Sequence, residues 1–187
     1  MKAVTALREK TPFRSRLASG LRFEDRVREH MTELGFDVVE YGLNTYLIPV
    51  RRKLVKLDDP GSILLRYAPD FFCIGERFTF FVEAKSKKGN SNYFSYNLNS
   101  LNLGRALARM GIRILVVFEA SPFNAEWIQD LPILRICEGS ASGSGKSFVL
   151  IREAELPSLG EILQESEIRN GSSSTSTLDR GRPPAMR

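Results

Sequence analysis

The stretch "YAPDFFCIGERFTFFVEAK", residues 67–85, decides the fold. Its aromatic and branched residues are written like the centre of a β-sheet, yet it carries Asp70, Glu83 and Lys85. Ionised side chains are rarely fully buried unless paired or metal-bound, because an uncompensated charge is costly to remove from water. The pattern predicts two strands, about 67–74 and 77–84, joined at Gly75-Glu76, where glycine suits a tight type II′ hairpin. Side chains alternate along a strand, so Phe81, Glu83 and Lys85 share one face and Phe80, Val82 and Ala84 the other. Folding about Gly75-Glu76 sets Ile74 opposite Arg77, Phe72 opposite Thr79 and Asp70 opposite Phe81. Asp70 then faces the same side as Glu83 and Lys85, as the diagonal neighbour of Glu83 at roughly 7–8 Å. A four-residue loop preserves that facing, whereas a three-residue loop reverses it.

Two carboxylates and a lysine therefore converge on one patch of sheet. Hard oxygen ligands at that separation suit Mg²⁺ or Mn²⁺, ions that keep several waters for a phosphate and a nucleophile. Asp70 and Glu83 are the expected metal ligands. Lys85, beside both ion and phosphate, would orient or deprotonate a water or stabilise developing charge. The bland alternative has Asp70 capping a turn and Glu83 pairing with Lys85 at an exposed strand end.

Working outward, "SGLRFEDRVREHMTELGF" (19–36) reads as an amphipathic helix, with Phe23, Val27, Met31 and Leu34 at helical spacing. Ser19 is its expected cap and Gly35 its stop. "DVVEYG" and "TYLIPV" read as short strands, and "RRKLVKLDDPG" (51–61) as a loop or hairpin ending in a turn. A second helix is expected over 97–111, ending at Gly111, with Asn102, Arg105 and Arg109 on one face. "IRILVVFE" (112–119) is apolar on both faces, as in the covered middle of a mixed sheet. "ILRICEG" and "SFVLIREAEL" suggest an extra hairpin, and Ser158 with Glu161 a capping box before a short last helix. The fold class is thus α/β, a mixed central sheet flanked by helices in the order helix, three strands, helix, strand. A basic segment (1–18), a domain (19–168) and a Ser/Pro-rich tail expected to be disordered (169–187) divide the chain.

The chain has 187 residues and a formal net charge of +5, enough length for one domain with a real core. Its basic residues cluster: eight Lys/Arg fall in the first 28 positions, and others in "RRKLVK", "KSKK" and Arg105, Arg109 and Arg113. A solvated face explains any one cluster, but together they point to a polyanion. Two widely spaced cysteines exclude a disulfide framework and a zinc cluster. Neither a secretory leader nor a membrane-spanning run is expected, which makes the cytosol the expected compartment and leaves no membrane partner. A single histidine, His30, excludes a mechanism built on a histidine pair. "GSASGSGKS" (139–147) lacks glycine at the first position of a phosphate-binding loop and precedes a strand, so a hairpin tip is expected. Trp127 reads as packing, and Tyr93, Phe94 and Tyr96 either pack the lead-in to the second helix or stack on unpaired bases.

"PD" (69–70), twelve intervening residues and "EAK" (83–85) on the following strand resemble the PD-(D/E)XK, restriction-endonuclease-like nuclease superfamily. The element order from about residue 19 to 119 is similar to that family's core. "SGLRFEDRVREHMTELGFDVV", "PDFF" and "EAKSKK" look most like the branch holding archaeal Holliday-junction resolvases, although this chain continues past a resolvase-like core. The resemblance implies a metal-dependent endonuclease cutting DNA phosphodiesters, either a junction-resolving enzyme, in which case a homodimer carries two sites, or a repair or restriction-type endonuclease. It also implies an acid from the first helix, here Glu24, which as an ordinary surface acid would instead pair with Arg28. Lys53, Lys87, Lys88, Arg105 and Arg109 are the expected phosphate contacts. Two rival functions stand beside this one: a non-catalytic DNA-binding module, and a protein-interaction subunit that keeps the nuclease fold.

Overall fold

The computed structural model describes residues 13–41, 59–87, 91–138 and 147–172, together with Val50, Lys53, Leu54, Lys56 and Leu57. Residues 45–49 of the expected strand "TYLIPV", Lys88, the glycine-rich tip at 139–146 and most of both termini lie outside the described residues.

A long helix, α1 (Phe13–Glu33), leads into β1 (Asp37–Glu40). Phe23, Val27 and Met31 are fully buried, as their spacing demands, whereas Leu34 is exposed because the chain turns away at Gly35, whose φ is +87°. The helix starts six residues ahead of Ser19, which sits inside it rather than capping it. A short helix, α2 (Pro60–Arg66), replaces the expected turn. Asp59 caps it by accepting from the Ser62 N–H at 3.0 Å, and Pro60 opens it without needing a donor.

The hairpin consists of β2 (Phe71–Ile74) and β3 (Thr79–Lys85). Its loop is four residues, Gly75 to Phe78, closed by Gly75 N–H donating to the Phe78 carbonyl at 3.0 Å. The register is therefore Ile74 with Thr79 and Phe72 with Phe81, two residues from the tight-turn expectation. A shift of two keeps every side chain on its face. β4 (Tyr93–Asn97) runs into α3 (Leu98–Arg109), which is followed by β5 (Ile114–Phe118), β6 (Asn124–Trp127), β7 (Ile133–Cys137) and β8 (Phe148–Arg152). The last helix, α4 (Leu159–Ser172), is opened by the expected capping box, with Glu161 Oε2 accepting from the Ser158 N–H at 2.8 Å. It crosses the boundary expected at residue 169.

The central sheet is mixed, in the order β1-β2-β3-β5-β6, with β3 and β5 parallel. The expected hairpin, β7–β8, is joined by β4 into a second sheet, β4-β8-β7. One face of the central sheet packs on α1 and α4 through Cys73, Phe80, Val82, Leu115, Val117 and Leu159. Burying such side chains contributes about 1.5–3 kcal/mol each. On the other face, α3 and the second sheet cover β5 through Leu101, Val116, Phe118, Phe94 and Ile151. Gly104 brings α3 close, since a Cβ there would stand 2.1 Å from the Ile128 Cδ1 atom. The start of α3 faces the same space as the ends of β2 and β3, since Asn97 and Ser100 line one cleft with Asp70 and Glu83.

Candidate active site

Asp70 stands one residue before β2 and, in the extended register, directly opposite Glu83 rather than diagonal to it. Two bonds fix it. Its carbonyl accepts from the Tyr41 N–H at 2.9 Å, and its Oδ2 accepts from the Ala84 N–H at 2.8 Å. Glu83 and Lys85 alternate with the buried Val82 and Ala84, so the face of β3 that is not packed on α1 carries both charges. The Lys85 Nζ forms an ion pair with Glu83 Oε1 and lies 5.1 Å from the centroid of the buried Tyr96 ring. Their side chains are 28% and 13% exposed, so neither charge is fully solvated.

Asp70, Glu83 and Lys85 line a cleft of about 250 Å³ together with Glu24 of α1. Arg66, Tyr67 and Ala68, at and after the end of α2, form another wall, and Asn97 and Ser100 at the start of α3 complete it. Glu24 is half-buried here, and Arg28 is engaged elsewhere, with Asp25 at 3.1 Å and Glu40 at 2.8 Å. Burial first, and then the negative charge of Asp70, push Glu24 up to about 7. Glu83 is likewise pushed up to about 7 by burial, against the pull of Lys85, with Asp70 adding to the rise. Burial also raises Asp70, opposed by Lys85 and the Ala84 hydrogen bond. For Lys85 burial acts downward, but the surrounding Glu83, Asp70 and Glu24 outweigh it and hold the ammonium charged. The cleft thus gathers three carboxylates against Lys85 and Arg66, a surplus of negative charge in a half-dry space.

That surplus is the condition a divalent cation relieves. Among the described residues no group of three or more acids, cysteines or histidines is close enough to enclose an ion. Mg²⁺ does not require enclosure, since it is commonly held by one or two carboxylates with water and phosphate completing its shell. Asp70 and Glu83 are two carboxylates that could serve as such a donor set, and the cleft leaves room beside them.

Of the expected phosphate contacts, the four among the described residues are not in the cleft lining. Lys87 is engaged by Glu153 at 2.6 Å and donates its backbone N–H to Glu119 at 2.9 Å. Arg105 donates to the carbonyls of Ile128 and Leu131, tying α3 to the chain after β6. Arg109 sits at the opposite end of α3 from Ser100, and Lys53 is exposed outside the cleft lining. Phe94 and Tyr96 are core residues, which removes them as stacking candidates; Tyr93 remains exposed. His30 is at the edge of the core, its ring centroid 5.3 Å from that of Phe123. Arg66, Asn97 and Ser100 had no signal of their own in the sequence. Only the path of α2 into β2 and of β4 into α3 brings them to Asp70.

No protein-family model and no curated protein sequence matches this chain. Among solved structures it is similar to Hjc, a Holliday junction resolvase from the archaeal hyperthermophile Archaeoglobus fulgidus. That match has 15% identity and a TM-score of 0.49, over 78% of this chain and 95% of the other. It is also similar to a nuclease from a fusselovirus, at 10% identity and a TM-score of 0.42, over 86% of this chain and 92% of the other. At these values the likeness stops at the outline of the fold, and what the cleft does rests on its own residues.

Proposed function

We propose that this protein is a metal-dependent nuclease that hydrolyses DNA phosphodiesters in the cleft between α1, β3 and α3. One observation carries the reading: acids from separate elements, Glu24, Asp70 and Glu83, face one half-buried space with Lys85 among them. A protein with only a fold to maintain gains nothing from that arrangement, which raises the pKa of all three acids.

Asp70 and Glu83 would hold Mg²⁺ or Mn²⁺. When bound, the ion supplies acidified water at neutral pH and offsets charge on the phosphate. Asp70 is pre-set by the Ala84 N–H, so its carboxylate does not reorganise as substrate enters. Lys85, held as an ammonium by its neighbours, acts as a fixed donor to a phosphate oxygen. Its packing against the Tyr96 ring keeps the ammonium from swinging into solvent. Glu24 closes the cleft from the α1 side, where a carboxylate that titrates near neutrality can accept the proton of an attacking water. DNA is the proposed substrate and a two-site homodimer the proposed assembly, with a four-way junction among the substrates to compare.

A second reading is favoured by the Glu83–Lys85 ion pair itself, which satisfies both side chains without any ion. On that reading the chain binds DNA and cuts nothing. Supercoiled plasmid, linear duplex, single strand and four-way junction, each with Mg²⁺, Mn²⁺ or EDTA, separate the two. The nuclease reading requires metal-dependent cutting by the wild type that Asp70→Ala and Lys85→Ala both abolish. Cutting that survives both substitutions overturns this site, and DNA binding without cutting selects the module.

A further inference from the structure

The face of the sheet that bears the acids does not end at the cleft. One row of it runs Val39, Phe72, Phe81 across β1, β2 and β3, and the next begins with Tyr41 and Asp70. The Tyr41 and Phe81 ring centroids are 5.0 Å apart and those of Phe72 and Phe81 4.8 Å, so the three rings form one aromatic surface. The opposite face of the same strands is packed solid with Cys73, Phe80 and Val82. Among the described residues this one is more open: Tyr41 is 51% exposed, Val39 48% and Ile74 38%, while Phe72 and Phe81 are half-buried and Phe81 packs against the edge of the core that α3 and the second sheet form over β5.

We propose that Tyr41, Phe72 and Phe81 form a stacking shelf for an unpaired nucleobase beside the scissile phosphate, so that the substrate class is DNA with unpaired nucleotides at the cut. The proposal rests on the cleft being the phosphate site. Tyr41 and Asp70 extend the pairing of β1 and β2 by one residue, where neighbouring chains lie about 4.8 Å apart. A phosphate that accepts from Lys85 beside Asp70 therefore places its own or the next base over these rings. Continuity with the proposed phosphate site, where Lys85 stands beside Asp70 and Glu83, makes a nucleic acid the occupant. A base inside a duplex keeps both π-faces in the stack, and only a splayed, flipped or single-stranded base can lie on the shelf. Removal of one aromatic partner weakens binding about tenfold per stacked base, and such stacking is tolerant of sequence.

The test is binding in EDTA, which needs no chemistry. Fluorescence anisotropy would compare a labelled duplex with a splayed-arm DNA carrying oligo-dT arms, for wild type, Tyr41→Ala and Tyr41→Phe. Tyr41 is exposed and its substitution spares the core; thermal melts confirm folding. The expected result is about tenfold weaker binding of the splayed arm by Tyr41→Ala, no more than about twofold change on duplex, and full retention by Tyr41→Phe. Equal losses on both DNAs overturn the shelf. So does a change from dimer to monomer on sedimentation with selectivity intact, which would assign the face to a second copy of the chain. Selective binding in a protein that cuts no DNA would end the nuclease reading and keep the shelf; cutting without this selectivity would do the reverse.

Discussion

The two faces of β3 are built from neighbouring residues and obey opposite rules. On one, Phe80, Val82 and Ala84 are buried against α1, and every atom removed from water is matched by close packing. On the other, Glu83 and Lys85 are drawn out of water beside Asp70 and Glu24, where burial acts against the charged carboxylates. The first face stabilises and is chemically silent. The second costs stability and is the place where the proposed cation and phosphate would bind. Strand alternation makes the division sharp: a change of one residue along the chain moves from one regime to the other.

The largest expected effect separates them outright. Asp70→Asn keeps an oxygen for the Ala84 N–H but removes a buried charge. Cleavage should fall by about 10³-fold or more, as when a preorganised electrostatic partner is lost, while the melting midpoint holds or rises. A fall of several degrees in the midpoint would show that the charge stabilises the fold and that the contrast is wrong. Phe80→Ala should do the converse, costing about 3–5 kcal/mol in denaturant melts with turnover per folded molecule retained. If Phe80→Ala instead abolished turnover in a protein still folded, the two faces would not be separable.

A smaller effect comes from titration. Unfolded, Glu24 and Glu83 ionise near 4.5; folded, both hold their protons to about 7. Folding thus favours the protonated forms, and this contribution is complete below the unfolded values and lost as pH rises through 7. Ion-free protein should therefore melt at a higher temperature at pH 6 than at pH 8. Saturating Mg²⁺ supplies the missing positive charge, so it should stabilise most at pH 8 and flatten the dependence. Melts in EDTA whose midpoint climbs with pH across this window would contradict the electrostatics of the cleft.

Much of this division was legible before any coordinates. Phe23, Val27 and Met31 declare the buried face of α1, Gly35 and Gly111 end their helices at positive φ, and Ser158 with Glu161 announces α4. The facing of Asp70 with Glu83 survived a register shift because two residues preserve parity; a shift of one would have lost the site. Loop length itself was not legible, since "GERF" allows a two-residue turn or the four-residue loop observed. Nor was α2, because Asp59-Pro60-Gly61 is at once a turn signal and a helix cap. The strand β4 is short and half-polar, and its partner β8 lies some fifty residues on, so its pairing is a tertiary fact with no local signature. The same holds for Arg66, Asn97 and Ser100, polar residues on different elements that only the assembled fold brings to one cleft.

The smallest predicted effect concerns Lys87, which continues the parity of Glu83 and Lys85 just past the end of β3. Parity alone would give it the charged face and a phosphate. Its Nζ is instead paired with Glu153 at 2.6 Å and lies over the Phe94 ring at 5.8 Å, while Glu119 accepts its backbone N–H. Those partners belong to the start of the short 3-10 turn after β8 and to the chain just beyond β5, so Lys87 fastens the two sheets rather than reaching outward. A lysine engaged in this way releases no counterion from DNA. Lys87→Met should therefore change affinity less than about twofold and leave the slope of log affinity against log salt unaltered, whereas loss of a true phosphate contact lowers that slope by about one. A slope reduced by one would return Lys87 to the charged face, and would place the boundary between the two regimes of β3 two residues further along the chain.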